Sequence, residues 1–486
     1  MPLTLSELKQ RANRAVSEAG FHPGFPPDVL REVSSAKPAG PLASSTEARD
    51  LRSLLWSSID NDESRDLDQV EYVEKSPDGT IRLLVGIADV DSSVTKGSAI
   101  DRRAAAESTS VYTGVETFPM LPPELSTERT SLLQEQDRLV LITEVRIVPS
   151  GEAEYHEVYP AWLRNAAKLA YSTTGAWLEG GAPVPSAISK APGMEAQLRL
   201  QQETSEKLRG VRKQHGALAF NSVEATPVLE NGEVKALAVR QHNPAEDIIE
   251  SFMVAANVAI AKYLRDHQRV SIRRVVKTPQ RWDRIQAVAE QHGTKLPDTP
   301  DPRALSNFLA ARQAADPLHF PDLSLAIVKL LGPGEYVVEA PGTEKEGHFG
   351  LAVTDYTHST APNRRYADLI TQRLLKAAAA DGASPYSPAE LALIAAHCTD
   401  REDAARKVER LMRKVVAASL LSQRVGEVFD GIVTGASQKG TYVRLLAFPA
   451  EGRLIRGTQG IDVGDKLRVR LASVEVDKGF IDFERG

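Results

Sequence analysis

Apolar positions fall into two rhythms along the chain, and the switches between them mark out its elements. From the amino terminus to Gly20 they recur at helical spacing: MPLTLSELKQRANRAV is amphipathic, Thr4 and Glu7 stand at capping-box distance, and Gly20 closes the stretch. Pro26 and Pro27 precede Asp28, Val29 and Leu30, which start a second short helix. SSAKPAGPLASST, residues 34–46, is a linker by composition. This first unit fits a helix-turn-helix and fits a docking arm without a binding role equally well.

The rhythm then shortens. Gln69 to Glu74 and Ile81 to Val90 predict two strands joined at Pro77, Asp78 and Gly79, where proline presets φ and glycine tolerates a positive one. Leu139 to Val148 predicts another. Helical spacing returns in AEDIIESFMVAANVAIAKYLRD, RWDRIQAVAEQHG, RALSNFLAARQAA, RYADLITQRLLKAAAA and the long stretch from Ala389 to Leu421. From about residue 424, short alternating strands punctuated by glycine predict a small closed antiparallel barrel. The whole is an α+β chain: a small helical unit with its linker at 1–47, a mixed α/β domain at 48–420 and an all-β barrel at 421–486.

Composition narrows the class. At 486 residues the chain exceeds one ordinary core, and 42% hydrophobic with 26% charged residues is a globular balance. No apolar run approaches the roughly 20 residues needed to cross a bilayer, and the amino terminus lacks the apolar core of a secretory signal. Cys398 is the single cysteine, which excludes an internal disulfide and a cysteine-based zinc site. A cytoplasmic protein with no membrane role is expected. The net charge of −6 counts mildly against a nucleic-acid binder, although a local cationic path can sit inside an acidic exterior.

The densest chemistry is SIDNDESRDLDQV, which carries Asp60, Asp62, Glu63, Asp66 and Asp68 just ahead of a strand. Hard divalent cations take oxygen ligands, and magnesium prefers one or two carboxylates with substrate phosphate. Carboxylates so placed suit cations that activate water and neutralise a phosphodiester under attack. A solvated acidic turn has the same composition.

Four blocks, in order, resolve that ambiguity. SIDNDESRDLDQV resembles the signature of the ribonuclease II family, an Ile-Asp followed by an Asp-x-Asp-Asp run. STSVYTGVETFPMLPPELS resembles its tyrosine segment, NPAEDIIESFMVAANVAIA its glutamate-bearing helix, and YTHSTAPNRRYADLITQRLL its threonine-serine-proline and paired-basic motif, with Ala361 in the serine position. The carboxy-terminal glycine pattern is similar to an OB-fold RNA-binding barrel.

The resemblance implies an RNB catalytic domain with a deep RNA channel, and a hydrolytic 3′-to-5′ exoribonuclease that degrades single-stranded RNA to nucleoside 5′-monophosphates. It implies two Mg²⁺ ions, with Mn²⁺ a substitute, held by Asp60, Asp66, Asp68 and Gln69; Asp66, Asp68 and Arg364 carry catalysis. The family has aspartate where this chain has Gln69, and an amide oxygen brings no charge and cannot act as a base. An alternative is therefore a weak or inactive RNA-binding member. Arg364 is expected at the scissile phosphate and Arg365 in an ion pair with Asp368. Tyr112 and Phe220 match the aromatics that clamp bases, although Phe220 in GALAF also fits an ordinary strand position. Tyr171 and Glu250 match positions that distinguish RNA from DNA through the 2′-hydroxyl. His358 is left as structural, and Arg273, Arg274 and Lys277 fit either the RNA path or a solvated face. In the barrel, Phe429, Lys439, Tyr442 and Arg444 are candidate RNA contacts. The partner is an RNA 3′ end, with no obligate protein partner and a monomeric state.

Overall fold

The computed structural model describes residues 3–35, 48–220, 224–230, 233–240, 242–317, 319–343, 345–437, 440–461 and 463–486. Most of the expected linker, and Lys439, lie outside the described residues.

A six-stranded twisted sheet organises the main body. Its strands run in the order Arg49–Asp50, Ala153–Ala170, Trp56–Asp60, Gln69–Lys75, Ile81–Ala88 and Asp137–Ile147. The 18-residue strand Ala153–Ala170 pairs antiparallel with Asp137–Ile147 along one stretch and parallel with Trp56–Asp60 beyond it, which curls the sheet round on itself. The three predicted strands are present, with the expected turn closed by a Gly79 amide bond to the Ser76 carbonyl and Gly79 at φ +85°.

Successive side chains on these strands leave opposite faces, and both faces are covered. Leu83, Val85 and Ile87 meet Leu198, Ile248 and Phe252 from the helices Met194–His215 and Pro244–Asp266. Leu84 and Ala88 meet Leu369, Ile370 and Leu374 from Tyr366–Ala379. Burial on both sides is why Leu83 to Ala88 of the strand Ile81–Ala88 reads as a nearly continuous apolar run.

The amino-terminal helices Leu5–Glu18 and Pro27–Ser35 form as expected, the first with its Thr4–Glu7 capping box. They dock onto the body. Leu8, Ala12 and Val16 share a core with Val408, Met412 and Val415 of the 34-residue helix Pro388–Leu421, while Val29 and Val33 join the main core. This packing favours the docking arm over a free DNA- or RNA-reading unit.

That long helix ends where the carboxy-terminal barrel begins. Five strands, Val428–Ser437, Gly440–Leu445, Glu451–Arg456, Lys466–Glu475 and Phe480–Arg485, close on themselves. Of the two readings open for Phe429, barrel core or RNA contact, the core one holds: it is 9% exposed and packed with Val469 and Leu471. Arg444 is paired with Asp322 of the main body at 2.9 Å, and Tyr442 stays exposed.

Candidate active site

The acidic run sits at the rim of the sheet. Asp60 ends the strand Trp56–Asp60, and the chain then turns, with Asn61 N and Ser64 Oγ both donating to Asp60 Oδ1 at 2.7 and 2.8 Å. Asp62 accepts from Ser172 Oγ at 2.9 Å. The returning chain is clamped at Leu67, whose amide donates to Ser131 Oγ at 3.0 Å while its carbonyl accepts from Leu132 N at 2.9 Å. That clamp delivers Asp66 and Asp68 to the site immediately before Gln69 starts the next strand.

Facing them is the loop before Tyr366–Ala379. Asp368 receives Ala361 N at 2.8 Å and both Nε and Nη2 of Arg365, at 2.9 and 2.7 Å, the ion pair expected from sequence. Ser110 N donates to the Arg364 carbonyl and Tyr366 N to the Ser108 carbonyl, at 3.0 and 2.8 Å. Asn363 Oδ1 accepts from Thr130 Oγ1 at 2.6 Å. So held, the loop gives Asn363 N to Asp68 Oδ1 at 3.0 Å, and Arg364 Nε stands 3.9 Å from Asp68 Oδ2. Arg364 is 44% exposed at its side chain, whereas Asp68 is buried. Tyr112, 40% exposed, points its hydroxyl at Asp66 Oδ2 across 3.4 Å.

Burial dominates the electrostatics. It pushes the Asp68 carboxyl up to about 8, against the pull of Arg364 and the Asn363 amide, with Asp66 and Asp368 adding repulsion. Asp66 is raised too, first by burial, with Asp60 adding to it and Arg364 opposing. Glu71 is raised well above the ordinary carboxylate range by burial and then by Asp60.

The RNB domain family matches residues 48–381, and the RNase II-type exonuclease C-terminal S1 domain matches residues 427–486. The chain belongs to the RNB-domain exoribonuclease family. Ribonuclease R 2 of Lactococcus lactis is 29% identical over 470 residues, covering 90% of this chain and 69% of that protein. Ribonuclease R of Escherichia coli is 28% identical over 497 residues, covering 94% of this chain and 60% of that protein, so the chain spans about three fifths of that relative's length. The structure of Mycoplasma genitalium RNase R in complex with ribose methylated single-stranded RNA has the same fold, with a TM-score of 0.89 at 22% identity over 99% of this chain and 78% of that one.

Metal dependence is general in the RNB family, and the donors here suit it. Among the described residues, the group of three histidine or acidic residues whose possible ligand atoms lie within 4.8 Å of one another is His242, Asp247 and Glu250. Asp60, Asp66 and Asp68 are not gathered that tightly; Asp60 accepts from Asn61 and Ser64, and Asp66 faces the Tyr112 hydroxyl. Magnesium keeps several waters and binds through one or two carboxylates plus phosphate, so an open set of hard oxygens fits it. Acids held neutral by burial are also the groups a cation would ionise. His242, Asp247 and Glu250 are by contrast already engaged, Asp247 with Arg209 and Glu250 with Arg212 at 3.3 Å.

The other expected site residues are not all brought to this centre. Tyr171 follows Ala170, the residue paired with Asp60, and opens the helix Tyr171–Leu178. Phe220 and Glu250 line a separate cavity of about 450 Å³ with Arg209, Arg212 and His242, a lining that contains none of Asp60, Asp66 and Asp68. Arg273 and Arg274 are corrected: they are buried and spent on Glu339 and Glu402, each at 2.9 Å, and Lys277 pairs with Glu335 at 2.9 Å. His358 Nδ1 meets Tyr336 Oη at 2.8 Å in the buried structure behind the arginine loop. Sequence reasoning missed Asn363, whose only outward signal is its place beside Arg364, and Glu71, which reads as an ordinary polar strand residue.

Proposed function

We propose that the chain is a hydrolytic 3′-to-5′ exoribonuclease that releases nucleoside 5′-monophosphates from the 3′ end of single-stranded RNA, with water as nucleophile. The observation that carries this reading is the meeting of Arg364 with Asp68 at 3.9 Å, an exposed guanidinium beside a buried acid. Arg364 donates to two oxygens of the scissile phosphate and stabilises the charge that builds on them. Asp60, Asp66 and Asp68, with the Gln69 amide oxygen as a neutral ligand, would hold Mg²⁺ or Mn²⁺, which would supply Lewis-acid stabilisation of the phosphate and a more acidic attacking water. Asp68, fixed by the Asn363 amide, orients that chemistry against Arg364. Tyr112 stacks on the terminal base, Phe220 on a base further along the strand, and Tyr171 and Glu250 read the ribose 2′-hydroxyl. RNA in the structure of the Mycoplasma genitalium relative supports the substrate class. Among the described residues no helix is long and apolar enough to cross a membrane. With one cysteine, Cys398, buried and free, we place the enzyme in the cytoplasm.

The test is a 5′-labelled oligoribonucleotide with Mg²⁺ and the purified chain, beside a matched oligodeoxynucleotide. A descending ladder with nucleoside 5′-monophosphates from RNA supports the proposal. Tight RNA binding with no released mononucleotide replaces it with a weak or inactive RNA-binding protein, and equal turnover of DNA removes the ribose selectivity.

A further inference from the structure

Two packed helices each offer a pair of charges one turn apart. Met194–His215 carries Arg209 and Arg212, and Pro244–Asp266 carries Asp247 and Glu250. They meet as two rungs: Arg209 with Asp247, and Arg212 Nη1 with Glu250 Oε1 at 3.3 Å. The rungs differ in which partner is covered. In the first the arginine is 47% exposed and the acid 17%, and Asp247 also receives His242 Nε2 at 2.7 Å. In the second the arginine is 16% exposed and the acid 54%. Arg212 is therefore the fixed member of its pair and Glu250 the presented one.

Arg212 is anchored from behind. Its Nη2 donates to Ser251 Oγ at 3.2 Å, the Ser251 and Ser205 hydroxyls stand 3.0 Å apart, and Ser205 Oγ donates to the Asp247 carbonyl at 2.9 Å. Both serines are buried, so the guanidinium is tied through them to the helix that carries Glu250. Among the described residues Glu250 Oε2 accepts no hydrogen bond, and Glu250 lines the cavity of about 450 Å³ with Phe220. A long exposed side chain loses rotamer freedom when a ligand fixes it. A guanidinium that already holds one carboxylate oxygen removes part of that cost and keeps the acid ionised.

We propose that Arg212 is the positioning residue for ribose recognition: it holds Glu250 Oε1 so that Oε2 accepts the 2′-hydroxyl of an RNA nucleotide in the cavity. The inference rests on the reading of Glu250 given above and adds the cation that aims it.

The test is an oligoribonucleotide with a single 2′-deoxy residue moved through the positions nearest the 3′ end, read as the kcat/KM penalty against the all-ribose strand with Mg²⁺. The wild type is expected to show a penalty of about tenfold or more at one position, the size of a hydrogen bond to a charged acceptor. Glu250→Gln and Arg212→Gln should each shrink it to less than about threefold, and the double variant should shrink it no further. Arg212→Lys, which keeps a cation beside Oε1, should restore part of it. Arg209→Gln breaks the neighbouring rung, and should lower Tm while leaving the penalty at its wild-type size. A penalty that survives Arg212→Gln but falls in Glu250→Gln overturns the role of Arg212 and leaves Glu250 standing. A penalty that survives both, or none at any position in the wild type, removes the reading of Glu250 as well. A penalty erased by Arg209→Gln as fully as by Arg212→Gln assigns the effect to helix packing and overturns the proposal.

Discussion

Asn363 donates its backbone amide to Asp68 Oδ1 at 3.0 Å, across 295 residues of chain. The bond fixes one carboxylate oxygen and turns the other toward Arg364. The loop that carries Arg364, the arginine we propose to bind phosphate, is thereby registered, through its own backbone, on Asp68. Neither partner can shift far without breaking a buried hydrogen bond.

Arg364→Ala is expected to lower kcat by roughly a hundredfold to a thousandfold, about 3 kcal/mol, with a smaller change in RNA affinity. Arg364→Lys should recover only part of this, because an ammonium cannot bind two phosphate oxygens side by side. Single-turnover rates beside equilibrium binding check the split. An Arg364→Ala variant that loses affinity and keeps its single-turnover rate would make Arg364 a general RNA contact.

Arg365 should behave differently although it is adjacent. Its partner Asp368 is fully buried and also holds Ala361 N. Asp368→Ala strands a buried guanidinium and is expected to cost about 3–5 kcal/mol of stability. Thermal or urea unfolding measures this. A variant as stable as the wild type would show that the loop does not depend on the pair.

Much of this arrangement is legible in the sequence, and the unread part has physical causes. Alternation gives the three strands around Gln69, Ile81 and Leu139, and the spacing of glycines gives the barrel. The motif blocks bring out Asp68 and Arg364 because their residue types are unusual together. The strand Ala153–Ala170 hides because Pro160 interrupts it as a signal, yet that residue pairs with Leu141 in the finished sheet. The helix Met194–His215 hides behind its many polar residues, since its neighbours cover only a narrow stripe that includes Leu198 and Leu208. Arg273 and Arg274 look like a basic surface because sequence shows charges and not their partners, Glu339 and Glu402. Glu71 is the reverse case, an acid whose burial without a charged partner appears only on folding.

Stability should respond to pH and cation together. Burial raises the carboxyls of Asp66, Asp68 and Glu71, Asp68 to about 8. Each keeps a proton in the folded chain that the unfolded chain has already lost, so the folded state binds more protons. These three acids therefore take stability away from the cation-free protein as pH rises from the ordinary carboxyl value of 3.8 toward about 8. The imidazoles of His348 and His358, held neutral by burial, add stability as pH rises toward 6.5, so the loss shows between about 6.5 and 8. Asp50 and Asp137, held low by arginines, titrate below this window and leave the trend alone. Mg²⁺ should raise Tm, and by more at the upper end of the window, where its ligands ionise most readily. A Tm that is independent of Mg²⁺ throughout would contradict the account.

Tyr112→Ala removes an exposed ring beside Asp66. Stacking on a base is worth about 1–3 kcal/mol, so KM for a short oligoribonucleotide should rise by roughly fivefold to a hundredfold. Tyr112→Phe should retain most of the affinity, since the ring and not the hydroxyl makes the stack. Equal losses in the two variants would assign the role to the hydroxyl instead.

Asp68→Asn tests the account most directly, because it keeps the shape of the side chain and an oxygen for the Asn363 amide while removing the charge. In the labelled-RNA assay with saturating Mg²⁺, the variant should bind RNA as the wild type does and release no detectable nucleoside 5′-monophosphate. Cleavage at the wild-type rate would place the reaction elsewhere in the molecule and contradict the assignment of the centre to Asp68 and Arg364.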